Sequence, residues 1–332
     1  MMRRVPAEWE RQEAIWLSWP TPAQHWRDLG EDVLQSKWAE ICTTIAEYQQ
    51  VRLNAPAQLH GAIQKVLQGA NMDHITLYDH ANNDVWCRDH GAIFIEEEGA
   101  IVATDWQFNG WGENFGPWEL DNQIAGMMGR VCGLPVQSYS EVLEGGAVEV
   151  NGAGTLLTTE AVLLNENRNP HLDHVGVEAM LAERLGIQRV VWLNKGIEGD
   201  DTGGHIDDIA RFVSADQVLI ASATEGGNQQ ILDENYQRLV SAGGLEVTRL
   251  PMPRACEVPG WRLPILPASY ANFLITNEQV LVPTFRQSMN DGFALELIQH
   301  YFPTRQVIGI DSLDIVREGG ALHCISMQQP AS

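Results

Sequence analysis

The chain has 332 residues, 44% of them hydrophobic, which is enough to bury a substantial core; length alone suggests about two domains. Its 44 acidic residues outnumber 21 basic ones for a net charge of -23, which excludes the usual DNA, RNA or anionic-membrane binder and favours a small cation as partner. No basic and apolar leader is visible, no apolar run approaches the roughly 18 residues of a membrane span, and five scattered cysteines lack CxxC spacing, so a soluble protein of the reducing cytoplasm is expected.

The first predicted element is a strand, Ala14 to Trp19, stopped by Pro20. Leu34, Trp38, Ile41 and Ile45 then share one helical face, and Leu59, Ile63, Val66 and Leu67 share another, with a short strand through Val51 and Leu53 between them. From there a pattern recurs. Four stretches read as β-hairpins: 91–95 with 101–103, 147–150 with 155–157, 209–213 with 218–220, and 271–275 with 280–282. Glu98-Gly99, Asn151-Gly152, Ala215-Asp216 and Asn277-Glu278 supply their turns. A loop, a helix and one more strand follow each hairpin; Val177, Leu181 and Leu185 mark one such helix, and Ala294, Leu297, Ile298 and Tyr301 another. The single strands run through 75–77, 135–137, 189–193, 245–247 and 306–309. A strand-strand-helix-strand unit therefore repeats every roughly 50 to 65 residues.

One such unit cannot bury both its sheet and its helix, so the units are expected to close around an axis as a single domain over 1–332: an α/β, five-bladed, pseudo-symmetric propeller. The last strand, Gly319 through Cys324 to Ser326, is expected to seal the ring against the strand through Trp16. Polar residues recur just before the hairpins: Asp89, Glu144, His205 with Asp207, and Cys324 after Gly319-Gly320. Taken singly, Asp89 reads equally as the partner of Arg88, Glu144 as the end of a strand, His205 as a core histidine and Cys324 as an inert thiol. Around an axis, they converge.

The runs Val85-Trp86-Cys87-Arg88-Asp89-His90-Gly91, Phe108-Asn109-Gly110-Trp111-Gly112, Leu143-Glu144-Gly145-Gly146, Asp200 to Asp207, and Leu322-His323-Cys324-Ile325-Ser326 resemble those of the agmatine deiminase and bacterial-type peptidylarginine deiminase family, within the guanidine-modifying superfamily. Pro6-Ala7-Glu8-Trp9-Glu10 and Ala268-Ser269-Tyr270-Ala271-Asn272-Phe273 extend the likeness over the whole chain. The resemblance implies hydrolysis of a guanidinium to a ureido group and ammonia with no cofactor and no metal. It also implies roles: Asp89 and Asp207 grip the guanidinium, Cys324 attacks its carbon, His205 is the acid and base, and Glu144 charges the imidazole. Trp86 and Trp111 are candidate stacking partners of the substrate, with loop packing the alternative for each.

Agmatine, a dication, suits an acidic site better than free or peptidyl-arginine, the alternative substrates. This chain departs from the agmatine-acting members at Ala321-Leu322, His90-Gly91-Ala92 and Glu113; Glu113 is read as a solvated loop charge, with recognition of a distal amine as the alternative. Two rivals are a zinc amidohydrolase, using His205, Asp207, His323 and Cys324 or His171 and His174, and a non-catalytic propeller that binds a protein. His323 is expected to face away from Cys324 along a strand. A homo-oligomer is left open.

Overall fold

The computed structural model describes residues 3–21, 30–258 and 262–332. The chain forms a mixed α/β fold with five small mixed sheets. In the first, Gln12–Ser18, Gln50–Ala55 and Ile75–Asp79 lie side by side and parallel. In the second, Ile93–Glu97 pairs antiparallel with Ala100–Gln107, which pairs in parallel with Val136–Val142. That order, a hairpin and then a parallel strand, recurs three times. The third sheet holds Glu149–Val150, Thr155–Thr159 and Arg189–Leu193. The fourth holds Ala210–Phe212, Gln217–Ser222 and Glu246–Pro251, and the fifth Leu274–Ile275, Gln279–Thr284 and Gln306–Asp311.

A parallel neighbour requires a crossover, and a helix supplies it in each sheet: Glu31–Ala46, Ile124–Val131, His174–Leu185, Gly227–Ala242 and Ser288–Tyr301. The expected repeat unit is present in full. His174–Leu185 shows why these stretches fold as they do. The Asp173 carboxylate accepts from the Gly176 N–H at the first turn, Val177, Leu181 and Leu185 bury one face, and Gly186 ends the helix at φ 73°. A Cβ on Gly186 would also lie 1.9 Å from the Arg3 carbonyl oxygen, so the position has no room for a side chain. Glu98 and Gly99 both take positive φ, 53° and 84°, as a tight two-residue hairpin turn demands.

Among the described residues the first sheet has no sequential hairpin. Its antiparallel member is Ser326–Pro330 from the other end of the chain, laid against Gln12–Ser18 with Met327 opposite Trp16. The expected pairing of the two ends is thus found, but the last strand begins two residues after Cys324 rather than running through it. Leu322–Ile325 form a turn instead, in which Ser326 N–H donates to the His323 carbonyl (3.0 Å) and the Ser326 hydroxyl to the Leu322 carbonyl (2.8 Å). Local bonding by serine outweighs the strand preference of the apolar run. The Trp16 indole N–H then donates to Gln329 Oε1 at 2.9 Å across the seam. Alternation along the opening strand buries both faces: Ile15 and Leu17 pack with Trp38, Ile41 and Ile45, whereas Trp16 packs with Phe94 and Met327.

One strand was not anticipated. Arg3–Arg4 adds an edge to the second sheet, opposite Glu97 and Glu96, where ion pairs substitute for the missing apolar pattern. Among the described residues no helix is long and apolar enough to cross a membrane.

Deleting residues 323–332 removes the antiparallel partner of Gln12–Ser18 and uncovers Trp16. The truncated chain is expected to lose its cooperative thermal transition; a cooperative melt with the full-length midpoint would show that the two ends do not depend on each other.

Candidate active site

Each side chain singled out before a hairpin sits on a short helical turn that feeds the first strand of its pair. Asp89 lies in Cys87–His90, Glu144 immediately precedes Gly145–Ala147, and His205 immediately precedes Ile206–Asp208, which carries Asp207. Cys324 lies in the turn before Ser326–Pro330. His205 and Asp207 precede their strand, which starts only at Ala210, and the tight turn between brings both to the cluster. All five are buried.

The turns bring these residues into one cluster. Asp89 Oδ1 accepts from the Gly146 N–H at 3.0 Å and lies 3.6 Å from His205 Nδ1; its Oδ2 accepts from the Trp111 indole N–H at 3.0 Å. Asp207 Oδ2 meets His323 Nδ1 at 2.7 Å and Cys324 Sγ at 3.6 Å. His323 and Cys324 are thus not on opposite faces: because they share a turn and not a strand, both reach the same carboxylate. Glu144 Oε1 accepts from Arg168 Nε at 2.6 Å, so its hydrogen bond goes to a guanidinium, and its action on His205 is electrostatic. A Cβ on Gly146 would fall 2.5 Å from His205 Nδ1 and 2.7 Å from Asp89 Oδ1; glycine is required for the turn to approach both.

Charge follows from these contacts. Burial raises the Asp89 carboxyl, to about 6, although His205 acts the other way. Burial would depress His205, but Asp89, then Asp207 and Glu144, overcome it and raise its pKa. Burial likewise opposes ionisation of Asp207, yet the His323 hydrogen bond and charge hold that carboxyl below its ordinary value. Cys324 is pushed well above an ordinary thiol by burial and then by Asp207, Asp208 and Asp89. Both ring nitrogens of His205, Asp207 Oδ1 and Glu144 Oε2 are buried without a hydrogen-bond partner among the described residues. Such groups are costly unless a ligand satisfies them.

Two members of the cluster, Asp89 and Cys324, border a cavity of about 110 Å³. Trp86, Trp111 and Phe115 form its apolar wall, Asp89 and Cys324 reach it from the cluster, and Asp84, Asp201, Arg262 and Glu318 also line it. Arg262 pairs with Asp201 and donates to the Glu318 carbonyl oxygen at 2.7 Å. Both candidate tryptophans therefore line the cavity, but Trp111 acts first as a hydrogen-bond donor to Asp89. Its backbone is held at φ 57°, and Glu113 at 65°, in a left-handed conformation uncommon for side-chain-bearing residues. The Asn109 carboxamide stabilises the loop by accepting from the Gly112 N–H (2.8 Å). Glu113 itself is exposed and lies outside the cavity lining.

Sequence reasoning missed the layer beneath. Arg211, fully buried, pairs with Glu8 and with Glu149 Oε2 (3.0 Å) and donates to the Ala271 and Phe273 carbonyls. Glu8 also meets His323 Nε2 at 3.0 Å, so His323 bridges Glu8 and Asp207. Asn272 received no role from the run Ala268 to Phe273. It occupies the corresponding place before the fifth sheet's hairpin, with its Nδ2 3.0 Å from Cys324 Sγ. The signal available was positional: the repeat predicts an inward polar residue there too.

Glu8, Glu149 and His323 are close enough to hold a metal, as are Asp207, Asp208 and Cys324. The Arg211 guanidinium already lies between the carboxylates of the first set, and the Asn272 amide donates into the second. His205 belongs to neither set, and His174 is an exposed residue beside Glu160. These donors fit a hydrogen-bonded network better than a zinc centre.

The sequence profile of the Porphyromonas-type peptidyl-arginine deiminase family matches residues 4–330. A Legionella pneumophila protein provisionally named agmatine deiminase is 36% identical over 336 residues, covering 99% of this chain and 95% of that one. A cysteine-to-serine variant of C. jejuni agmatine deiminase, solved with substrate bound, superposes with TM-score 0.92 at 31% identity, covering 100% of this chain and 97% of the other. The agmatine deiminase of Enterococcus faecalis, solved catalysing its reaction, gives TM-score 0.92 at 32% identity over 99% and 96%.

Arg211→Leu leaves Glu8 and Glu149 buried without their cation and is expected to cost about 3–5 kcal/mol of stability, read from the denaturant midpoint. Adding Glu8→Gln and Glu149→Gln should recover part of that loss. An unshifted midpoint in the single variant would mean that the ion network does not support the fold.

Proposed function

The chain belongs to the Porphyromonas-type peptidyl-arginine deiminase family, and from that premise we propose that it hydrolyses the guanidinium of agmatine to N-carbamoylputrescine and ammonia. The observation that carries this reading is the meeting of Cys324, His205, Asp89 and Asp207 in one buried cluster, two of whose members, Asp89 and Cys324, line a cavity. The five sheets stand about a common axis as an α/β propeller, a single catalytic domain over 1–332 with those residues at one end. Five free thiols accord with a reducing, cytoplasmic setting.

A guanidinium is planar and permanently charged, and two carboxylates can hold its N–H groups while leaving the carbon open. Asp89 and Asp207 take that role, with Trp86 and Trp111 enclosing the group. The same cation offsets the carboxylates that keep Cys324 protonated. Substrate entry therefore favours thiolate formation, with the proton released to solvent, and the nucleophile is activated where its target sits. The sulfur adds to the guanidinium carbon, and the C=N electron pair moves onto nitrogen. His205, held cationic by Asp89, Asp207 and Glu144, donates its proton to the leaving nitrogen as the C–N bond breaks. Neutral His205 next takes a proton from water. The resulting hydroxide adds to the thiouronium carbon; the C–S bond then breaks as the hydroxyl oxygen forms the ureido C=O and gives its proton to the departing sulfur, which restores the Cys324 thiol.

The cavity lining carries Asp84, Asp201 and Glu318 against one cation, Arg262, already paired with Asp201; this balance suits the second cation of agmatine. Arg262 is also the feature that supports a second reading, peptidyl-arginine or free arginine, whose carboxylate could exchange for Asp201. Ammonia release from agmatine, free arginine and a peptidyl-arginine under identical conditions separates the two. Agmatine is expected to give the highest kcat/KM, and a preference for either arginine substrate would overturn the assignment.

Cys324→Ala should abolish ureido-product formation from all three, whereas His205→Ala should accumulate a substrate-derived mass on Cys324. Substantial turnover by Cys324→Ala, or no mass gain with a good substrate, would refute the covalent route. Because the Asp89 carboxyl is raised to about 6, it is ionised above that pH and neutral below it. The acid limb of kcat/KM should therefore bend near pH 6 and fall about tenfold per pH unit beneath. Asp89→Asn should remove this limb; an unchanged limb in that variant would assign it elsewhere.

A further inference from the structure

We propose that Asn272 is a positioning residue that fixes Cys324 and donates a hydrogen bond to its thiolate. The inference deepens the proposed reaction and rests on Cys324 as its nucleophile. Asn272 is fully buried, in the loop just before Leu274–Ile275. Its Oδ1 accepts from the His323 N–H (2.9 Å) and the Cys324 N–H (3.3 Å). Backbone N–H groups only donate, so this face of the carboxamide must be oxygen. The opposite face is then NH₂, which points to Cys324 Sγ at 3.0 Å and Asp208 Oδ1 at 3.1 Å. The Asn272 carbonyl also accepts from the His323 N–H, at 3.2 Å. One residue thus holds the Cys324 turn by its backbone amides and the sulfur by a directed donor.

The surroundings give that donor its importance. Sγ faces three carboxylates, Asp207, Asp208 and Asp89, all of which oppose a negative sulfur. His323 is engaged with Asp207 and Glu8, His205 lies beside Asp89, and Arg262 at the rim is paired with Asp201. Asn272 is the neutral donor that reaches the sulfur directly. A thiol can accept only weakly from an amide N–H, whereas a thiolate accepts strongly, so the contact favours the reactive form. The same amide holds Asp208, whose carboxyl burial raises, followed by Asp207 and Asp200.

The test is the pH dependence of Cys324 alkylation by iodoacetamide in free enzyme, located by peptide mass spectrometry. It requires no turnover, so it can fail without the deiminase reading failing, and the converse. In Asn272→Ala the alkylation midpoint is expected to rise by about one to two pH units. With the best guanidine substrate, kcat at neutral pH should drop at least tenfold while KM changes less than threefold, and raising the pH should restore part of kcat. A purely structural role would lower the melting temperature and leave the alkylation midpoint unmoved; that result overturns the proposal. Should Asn272→Ala fail to fold, the side-chain NH₂ resonances of Asn272 in wild-type protein carry the test. They should titrate with the Cys324 midpoint and cease to respond in Cys324→Ala; resonances indifferent to Cys324 ionisation overturn the proposal.

Discussion

A guanidinium with no exposed surface underlies the site. Arg211 joins Glu149 of the third sheet, two carbonyls ahead of the fifth sheet's hairpin and Glu8 from the opening segment. Burying such a charge is tolerable only if every donor finds an acceptor, and here the acceptors come from parts of the chain distant in sequence. The constraint works in both directions: the carboxylates need the arginine, and the arginine holds the three segments in register. It also shows how this interior handles a planar cation, through opposed carboxylates and an aromatic face, the Phe273 ring being 4.6 Å from its carbon. The proposed substrate asks for the same treatment one layer above, from Asp89, Asp207 and the two tryptophans.

Asp89 and Asp207 are the same residue type and both are buried, yet their protons are held differently. Asp207 faces His323, whose other nitrogen is tied to Glu8, and its carboxyl stays below the ordinary range. Asp89 has two neutral N–H donors and a histidine at 3.6 Å, while Asp207 and Glu144 oppose its charge, and it rises to about 6. The difference comes from the second partner of each neighbouring imidazole. His323 is locked between two carboxylates; His205 has no hydrogen bond on either ring nitrogen and is therefore free to exchange protons. One histidine is thus suited to holding two carboxylates in place, the other to acid and base work.

Much of this was legible in the sequence because periodicity reports local structure. The hairpins, the crossover helices and the single strands repeat clearly, and equal placement in the repeat was enough to group Asp89, Glu144, His205, Asp207 and Cys324. What was not legible depends on contacts across the chain. Cys324 reads as a strand residue from its apolar neighbours, and only the Ser326 hydroxyl, bonding back to Leu322, reveals a turn. Glu8 sits in a motif without any local sign that it reaches Arg211, 203 residues away. Glu144 has the same limitation: its partner Arg168 belongs to an irregular loop that carries no periodic signal.

The location of the proposed nucleophile ties the proposed chemistry to completion of the fold. Beyond its local Ser326 bonds, the Cys324 turn is held by contacts from other segments. The Arg88 N–H donates to the Cys324 carbonyl at 3.1 Å, and the Arg88 side chain reaches the His323 carbonyl (3.3 Å) and Gln328 (2.7 Å). Asn272 binds the turn from the fifth sheet, and Glu8 holds it through His323. These contacts require the second sheet, the fifth sheet and both chain ends to be in place together. A chain lacking the final strand would therefore be missing the geometry that places the sulfur beside Asp207. Placing Cys324 on the turn that leads into Ser326–Pro330 makes the geometry of the cluster depend on the pairing of that strand with Gln12–Ser18.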